Sequence, residues 1–313
     1  MSNLRVVFMG TPDFAVPCLD MLVAEQYNVV AVVSQPDRPK GRGQKLAQSP
    51  VKQAALAYGL TVLQPNKVKD VDFQTELSAL KPDLIIVVAF GQLLPKTILD
   101  MPPLGCINVH ASLLPCYRGA APIHWALING EQVTGVTTMY MDIGMDTGDM
   151  ILAEEIQITE NETTGMIHDK LKECGAKVLC TTIKLIIAQQ APRTMQNHEC
   201  ATYAPMLTRA MEAIDWDHSA VDIHNLVRGI NPWPGAYCSY KDMNLKIWQT
   251  RKHASELSAS KPGKIVKKTA DGFVVETGQG MLEILEVQPA NKRRMDAKDF
   301  LCGYGIVVGD ILG

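Results

Sequence analysis

The chain reads as an α/β protein built on a mostly parallel sheet, followed by a small β-barrel. Two observations predict this. Short apolar runs at 4–9, 29–33, 84–89 and 105–109 alternate with helical stretches, the pattern of strands covered on both faces. Further on, five strand-length runs at 236–240, 245–248, 264–267, 273–277 and 281–287 are separated by Gly, Asp or Lys-rich turns, which suggests a barrel of the kind that serves as an oligonucleotide platform.

The helices carry their own punctuation. Ser49-Pro50 supplies an N-cap and a first-turn proline, and Gly59 closes that helix; Pro122 and Gly130 bracket another in the same way. Ile167, Leu171, Cys174 and Val178 mark the buried stripe of a longer helix running towards Ile187. Between 190 and 206 the pattern dissolves into Ala191-Pro192, polar residues and Tyr203-Ala204-Pro205, which reads as a linker. A capping box at Ser219 and Asp222 then opens a helix with Ile223, Leu226, Val227 and Ile230 on one face. The expected division is therefore 1–189 as the α/β domain, 190–206 as linker and 207–313 as the barrel domain.

Composition narrows the function classes. At 313 residues and 47% hydrophobic the chain has enough apolar material for a core in each domain. The net charge of −3 divides into 16 Lys+Arg against 20 Asp+Glu over 1–206 and 14 against 13 over 207–313. No global field draws in an acidic partner, so nucleic acid has to be met by local basic patches. The eight cysteines form no Cys-x-x-Cys pair and no zinc-type cluster, which argues for free thiols. The opening Met1-Ser2-Asn3-Leu4-Arg5 has no signal-peptide pattern, and no apolar run approaches the roughly 20 residues of a membrane span. A soluble cytoplasmic protein is expected, as a monomer because no coiled-coil seam is evident.

The most informative feature is Asn108 and His110, two residues apart at a predicted strand end and followed by Ser112-Leu113-Leu114-Pro115. Side chains alternate along a strand, so the polar pair projects to one side while Ile107 and Val109 anchor the other. Asp146, in Gly144-Met145-Asp146-Thr147-Gly148-Asp149, is a third candidate, brought close by flanking glycines. An amide and an imidazole can stabilise a developing oxyanion, and a carboxylate can orient the ring, which together suit acyl transfer. A metal site from His110, Asp146 and Asp149 is disfavoured for want of regular ligand spacing. A dinucleotide loop at Gly10-Thr11-Pro12-Asp13 lacks the later glycines of its fingerprint. The segment 36–45 carries four cations, Arg38, Lys40, Arg42 and Lys45, against the single anion Asp37, and reads as an arm that orders on phosphates. Lys264, Lys267 and Lys268, with Lys292, Arg293 and Arg294, read first as solvated faces, with an extension of that basic track as the alternative.

These residues resemble a known family. Phe8 to Pro17, Gln35 to Pro39 with Gly41-Arg42-Gly43, Asn108 to Pro115, Arg118 to Ile123, Met145 to Asp149 and Asn231 to Ala236 are similar to the motifs of the methionyl-tRNA formyltransferases, over essentially the whole chain. Asn, His and Asp mark the wider formyltetrahydrofolate-dependent transferases; the Gly-Thr-Pro-Asp start, the basic loop and Asn-Pro-Trp-Pro-Gly narrow the likeness to this family. The resemblance implies a Rossmann-like formyltransferase domain and an OB-like C-terminal domain that binds tRNA. It implies catalytic roles for Asn108, His110 and Asp146, and a folate contact through Ser112, Leu113, Leu114 and Pro115. Phe90, Gly91, Gln92, Leu93 and Leu94 would line the pterin pocket, and Arg42 with its neighbours Arg38, Lys40 and Lys45 would engage the tRNA acceptor end. The implied co-substrate is 10-formyltetrahydrofolate, with no metal, and the implied partner is initiator methionyl-tRNA. Cys116 departs from the pattern, standing where a basic residue is usual. Formyl transfer to a small amine, an amino-sugar nucleotide or glycinamide ribonucleotide, is the alternative that the same trio permits.

Overall fold

The computed structural model describes residues 4–40, 45–241, 243–253 and 261–313. They form two compact units. The first comprises Met1–Ala120, Thr134–Ile156 and His168–Ala204; the second comprises Ala121–Val133, Gln157–Ile167 and Pro205–Gly313.

In the first unit the strands are β1 (Arg5–Gly10), β2 (Asn28–Val33), β3 (Arg38–Lys40), β4 (Lys45–Ala47), β5 (Val62–Leu63), β6 (Leu84–Val88) and β7 (Cys106–His110). They continue with β8 (Arg118–Gly119), β9 (Val133–Tyr140), β10 (Met150–Gln157) and β11 (Tyr203–Ala204). Helices α1 (Val16–Ala24), α2 (Pro50–Ala57), α3 (Val71–Ala79) and α4 (Lys96–Leu99) lie between these strands in the chain. Seven strands make the main sheet, in the order β10-β9-β7-β6-β1-β2-β5. Pairing is parallel from β5 through β2, β1 and β6 to β7, and β9 joins β7 antiparallel. The chain moves outwards from β1 through β2 to β5, then returns to β6 on the other side of β1. That reversal is a topological switch point, beyond whose carboxyl strand ends open α/β sheets bind ligands.

The strands form because their sequences are apolar on both faces. Val7, Met9, Ile85 and Val87 pack with Phe73 and Leu77 of α3 and with Ile98 of α4, all buried. Each such side chain contributes roughly 1.5–3 kcal/mol by leaving water. Ser49 caps α2 by accepting from the Lys52 N–H at 3.1 Å, and Gly59 leaves the helix at φ 69, as its sequence position predicts.

In the second unit α5 (Pro122–Ile128) packs with α7 (Ala220–Gly229), because Gly229 lets the two backbones approach where a Cβ would strike Ile128. The Ser219 hydroxyl caps α7 by accepting from the Asp222 N–H at 3.1 Å and donates to the Asp222 carboxylate at 2.6 Å. The strands are β12 (Tyr237–Tyr240), β13 (Met243–His253), β14 (Ile265–Lys268), β15 (Phe273–Glu276), β16 (Met281–Pro289) and β17 (Met295–Asp296), and α8 (Ala297–Tyr304) follows. Their sheet runs β12-β13-β16-β15-β14, with β17 on β16 and antiparallel pairing throughout. The two outer strands are joined by the end of the chain: Leu312 bridges Tyr240 of β12, and Ile311 bridges Lys264 beside β14. This closes the expected barrel around Ile223, Val227, Leu245, Ile247, Phe273 and Ile284. Long α6 (Thr164–Ile187) buries Ile167, Leu171 and Val178 as its spacing predicts, while Cys174 is only half-buried.

The division differs from the one expected from chain order. The segment read as a linker does not hang between domains: Thr194 bridges Met150, and β11 pairs in parallel with β8, which places 190–204 in the first unit. Helix α5 goes to the second unit because its partner is α7. All eight cysteines are free, and burial pushes the thiols of Cys106 and Cys238 up to about 12, beyond ready ionisation.

Candidate active site

Period-two alternation along β7 puts Asn108 and His110 on one side, with register partners Met139 and Thr137 on β9. Both are buried. The Asn108 Nδ2 donates to Asp146 Oδ1 at 3.3 Å, and His110 Nδ1 lies 3.6 Å from Asp146 Oδ2. The three residues predicted from sequence therefore converge on one carboxylate. The other imidazole nitrogen, Nε2, faces the Tyr117 carbonyl at 3.0 Å. A carbonyl and a carboxylate can only accept, so each is a partner for a ring N–H.

Asp146 reaches this position from the β9–β10 connection through a left-handed backbone at φ 55. An aspartate tolerates that region better than most residues, at a cost on the order of 1–2 kcal/mol that its surroundings must hold. The Gly119 N–H donates to Oδ2 at 2.9 Å. Gly148 passes so close to the Tyr140 carbonyl that any side chain there would collide, which is why the loop needs a glycine at this point.

The tetrapeptide after β7 is stitched to β9 by Thr137, whose hydroxyl donates to the Ser112 carbonyl at 2.7 Å and accepts from the Leu114 N–H at 3.1 Å. The Ser112 hydroxyl is itself turned inwards, donating to the Cys116 carbonyl at 2.6 Å, so its role is to hold the turn. Leu113 and Pro115 are half-buried and Leu114 is buried. At the end of β6 the chain turns through Ala89 at φ 45. Phe90 and Leu94 then drop into the core, leaving Gly91 open, Gln92 half-buried and Leu93 69% exposed. Of the expected pterin pocket, only Gln92 and Leu93 present side-chain surface, beside the open backbone of Gly91.

The basic segment is partly described. Arg38 and Lys40 lie in β3, which pairs antiparallel with β4 starting at Lys45; Arg42, with the rest of 41–44, lies outside the described residues. The segment's one anion is already committed. Lys52 donates to Asp37 at 2.7 Å and holds its carboxyl below the usual carboxylate range, with help from Gln64. Asp149, the third member of the disfavoured metal set, pairs with Arg193 at 3.3 Å instead. Among the described residues no group of three His, Cys, Asp or Glu is placed to hold a metal ion, and no helix is long and apolar enough to cross a membrane.

Sequence reasoning missed Thr137, Gln196 and the side chain of Arg118. Gln196 Nε2 donates to the carbonyls of Asp146 and Gly148, both at 2.8 Å, and buried Arg118 donates to Gln196 Oε1 at 3.0 and 2.6 Å. The only signal was indirect: Arg118 stands in a recognised motif, and Gln196 sits in a stretch without periodicity.

The class these features define is that of the formyl transferases. The family model described as formyl transferase matches residues 4–183, and the model of the formyl transferase C-terminal domain matches 206–305. Among solved structures, the sugar 3N-formyl transferase WlaRD shares the fold with a TM-score of 0.69 at 18% identity, covering 94% of this chain and 100% of that one. An N-formyltransferase from Helicobacter canadensis gives 0.69 at 19%, covering 91% and 99%. The relatives by sequence are much nearer. The methionyl-tRNA formyltransferase of Acetivibrio thermocellus is 53% identical over 99% of this chain and 100% of its own length, and that of Clostridioides difficile is 52% identical over the same shares. The chain belongs to the methionyl-tRNA formyltransferase family.

Proposed function

We propose that the protein transfers the formyl group of 10-formyltetrahydrofolate to the α-amino group of methionyl-initiator tRNA, giving the formylated tRNA used in translation initiation, and that it does so as a cytoplasmic monomer. The observation that carries the chemical part is the convergence of Asn108, His110 and Asp146 at the end of β7. A neutral amine attacking a formyl carbon places negative charge on the formyl oxygen and positive charge on the nitrogen. Asn108 has a second N–H beyond the one given to Asp146, and His110 can exchange the Tyr117 carbonyl for that oxygen. A single well-placed donor of this kind is worth roughly 3–4 kcal/mol in the transition state. Asp146 keeps the ring oriented and, directly or through water, takes part in moving the proton from the incoming amine to the departing folate nitrogen.

Residues 91–93 and the turn 112–115 would hold the folate, the turn through Leu113 and Pro115 while Ser112 and Leu114 keep its shape. Exposed Leu93 and the open backbone at Gly91, where a side chain would meet nothing, suit a flat heteroaromatic ring better than a charged group. The segment's one anion, Asp37, is paired with Lys52, and the basic segment would meet phosphates; in the barrel Arg294 stacks over the Trp248 ring at 3.5 Å, and Lys246 also lies over that ring. The test is formylation in vitro with charged initiator and elongator tRNAs, with and without the formyl-folate donor. Donor-dependent formylation of initiator methionyl-tRNA is expected. Transfer to an amino-sugar nucleotide or glycinamide ribonucleotide, with none to charged tRNA, would overturn the assignment. Arg42→Ala is expected to weaken tRNA engagement and lower its salt slope by about 1 while folate binding stays intact, read by binding titrations at several salt concentrations.

A further inference from the structure

Three consecutive residues, Tyr117, Arg118 and Gly119, each hold a different part of the site. The Tyr117 carbonyl accepts from His110 Nε2, the Gly119 N–H holds Asp146 Oδ2, and Arg118 grips Gln196. Gln196 closes this ring. Its amide makes the four hydrogen bonds an amide can make: two N–H groups to the carbonyls of Asp146 and Gly148, and two lone pairs to Arg118 Nε and Nη2. Turning the amide over would set its NH₂ against a guanidinium and its oxygen against two carbonyls, so the arginine charge fixes which end faces the loop. Arg118 Nη2 also donates to His198 Nδ1 at 3.2 Å, which anchors the guanidinium from the far side. Arg118 and Gln196 are both buried, at 2% and 6% exposure.

The backbone that Gln196 clamps is the left-handed one, with Asp146 at φ 55. A residue in that conformation persists only where its surroundings over-determine it. The carboxylate is held from the front by Gly119 and the peptide behind it by Gln196, so its aim at Asn108 and His110 depends on both. We propose that Gln196 is a positioning residue for formyl transfer, acting through the Asp146 backbone, with Arg118 locking its amide in the working orientation. The inference rests on the reading of Asp146 as part of the reaction site.

The experiment is a double-mutant cycle on the full chain, with Gln196→Glu, Asp146→Asn and the pair combined, read by steady-state kinetics and thermal melting. Glutamate keeps an oxygen for Arg118 but opposes the two loop carbonyls with another, so it separates support of the fold from aim of the carboxylate. Expected for Gln196→Glu is a kcat reduced by roughly ten- to a hundredfold, KM for donor and tRNA within about twofold, and a melting temperature close to that of the parent. In the combined variant kcat should fall no further than in Asp146→Asn alone, because the two losses share one route. Gln196→Ala takes its place in the cycle should the glutamate variant fail to fold. A parental kcat in Gln196→Glu, or losses that multiply in the combined variant, would overturn the inference while leaving the site reading intact. A parental kcat in Asp146→Asn would sink the site reading itself.

Discussion

His110 and His224 are both buried, at 6% and 4% exposure, and both have each ring nitrogen near a polar partner, yet their surroundings set them different tasks. His224, on α7, meets the Thr250 hydroxyl at 2.8 Å and the Glu160 carbonyl at 3.1 Å, within a barrel unit where Arg228 ties down the Thr159 carbonyl and the Asn225 amide oxygen. A hydroxyl can accept or donate, so a neutral ring satisfies both neighbours, and burial pushes the His224 pKa down. His110 faces a carboxylate on a left-handed loop, at a strand end beside a chain reversal in the sheet. Burial and hydrogen bonding do not distinguish a working histidine from a structural one. What sets His110 apart is a carboxylate partner on a left-handed backbone, at the end of a sheet strand.

The sharpest way to break this contrast is His110→Ala. Turnover should fall by roughly 10²–10³-fold, the cost of one oxyanion donor, with little change in tRNA affinity. Formylation near the parental rate would remove the distinction. His224→Ala should do the opposite, lowering unfolding free energy by roughly 1–3 kcal/mol through the polar groups it leaves unpaired, with the folded protein still active. Denaturant titration paired with a rate assay below the transition checks both halves. The smallest effect is a pH dependence. The unfolded ring titrates near its ordinary 6.5, whereas the folded one titrates lower, so above 6.5 the contribution of His224 is fully present. As the pH falls further the unfolded chain binds the proton first, and stability declines until the folded ring also protonates. The loss of stability as the pH falls below about 6.5 should shrink in His224→Gln; an unchanged pH profile would show that this ring is not its source.

How much could be read in advance follows the range of the forces involved. Asn108 and His110 were visible because strand alternation is local, and Asp146 because its glycines announce a tight loop. The capping box at Ser219 and the proline start of α5 were visible for the same reason. Gln196 was not, since it acts on the backbone carbonyls of Asp146 and Gly148, which offer no side-chain pattern to match. The same limit applies to Thr137, whose hydroxyl serves main-chain atoms of Ser112 and Leu114. The assignment of α5 to the second unit turned on one close approach, Gly229 against Ile128, which no periodicity encodes. The inward turn of Phe90 and Leu94 was equally hidden, because a chain leaving a strand through Ala89 at φ 45 loses the alternation that tells inside from outside.

The bridges of Ile311 and Leu312 to opposite borders of the barrel sheet carry a further consequence. Those four last residues, 310–313, act as a clasp: the Ser239 N–H pairs with the Gly313 carbonyl and the Leu312 N–H donates to the Gly263 carbonyl at 2.8 Å. Without the clasp both rims would present unpaired N–H and C=O groups, the template on which chains self-associate and aggregate. Residues 310–313 thus occupy both borders of the barrel sheet, so one change in this short segment would uncover edge groups on two strands at once.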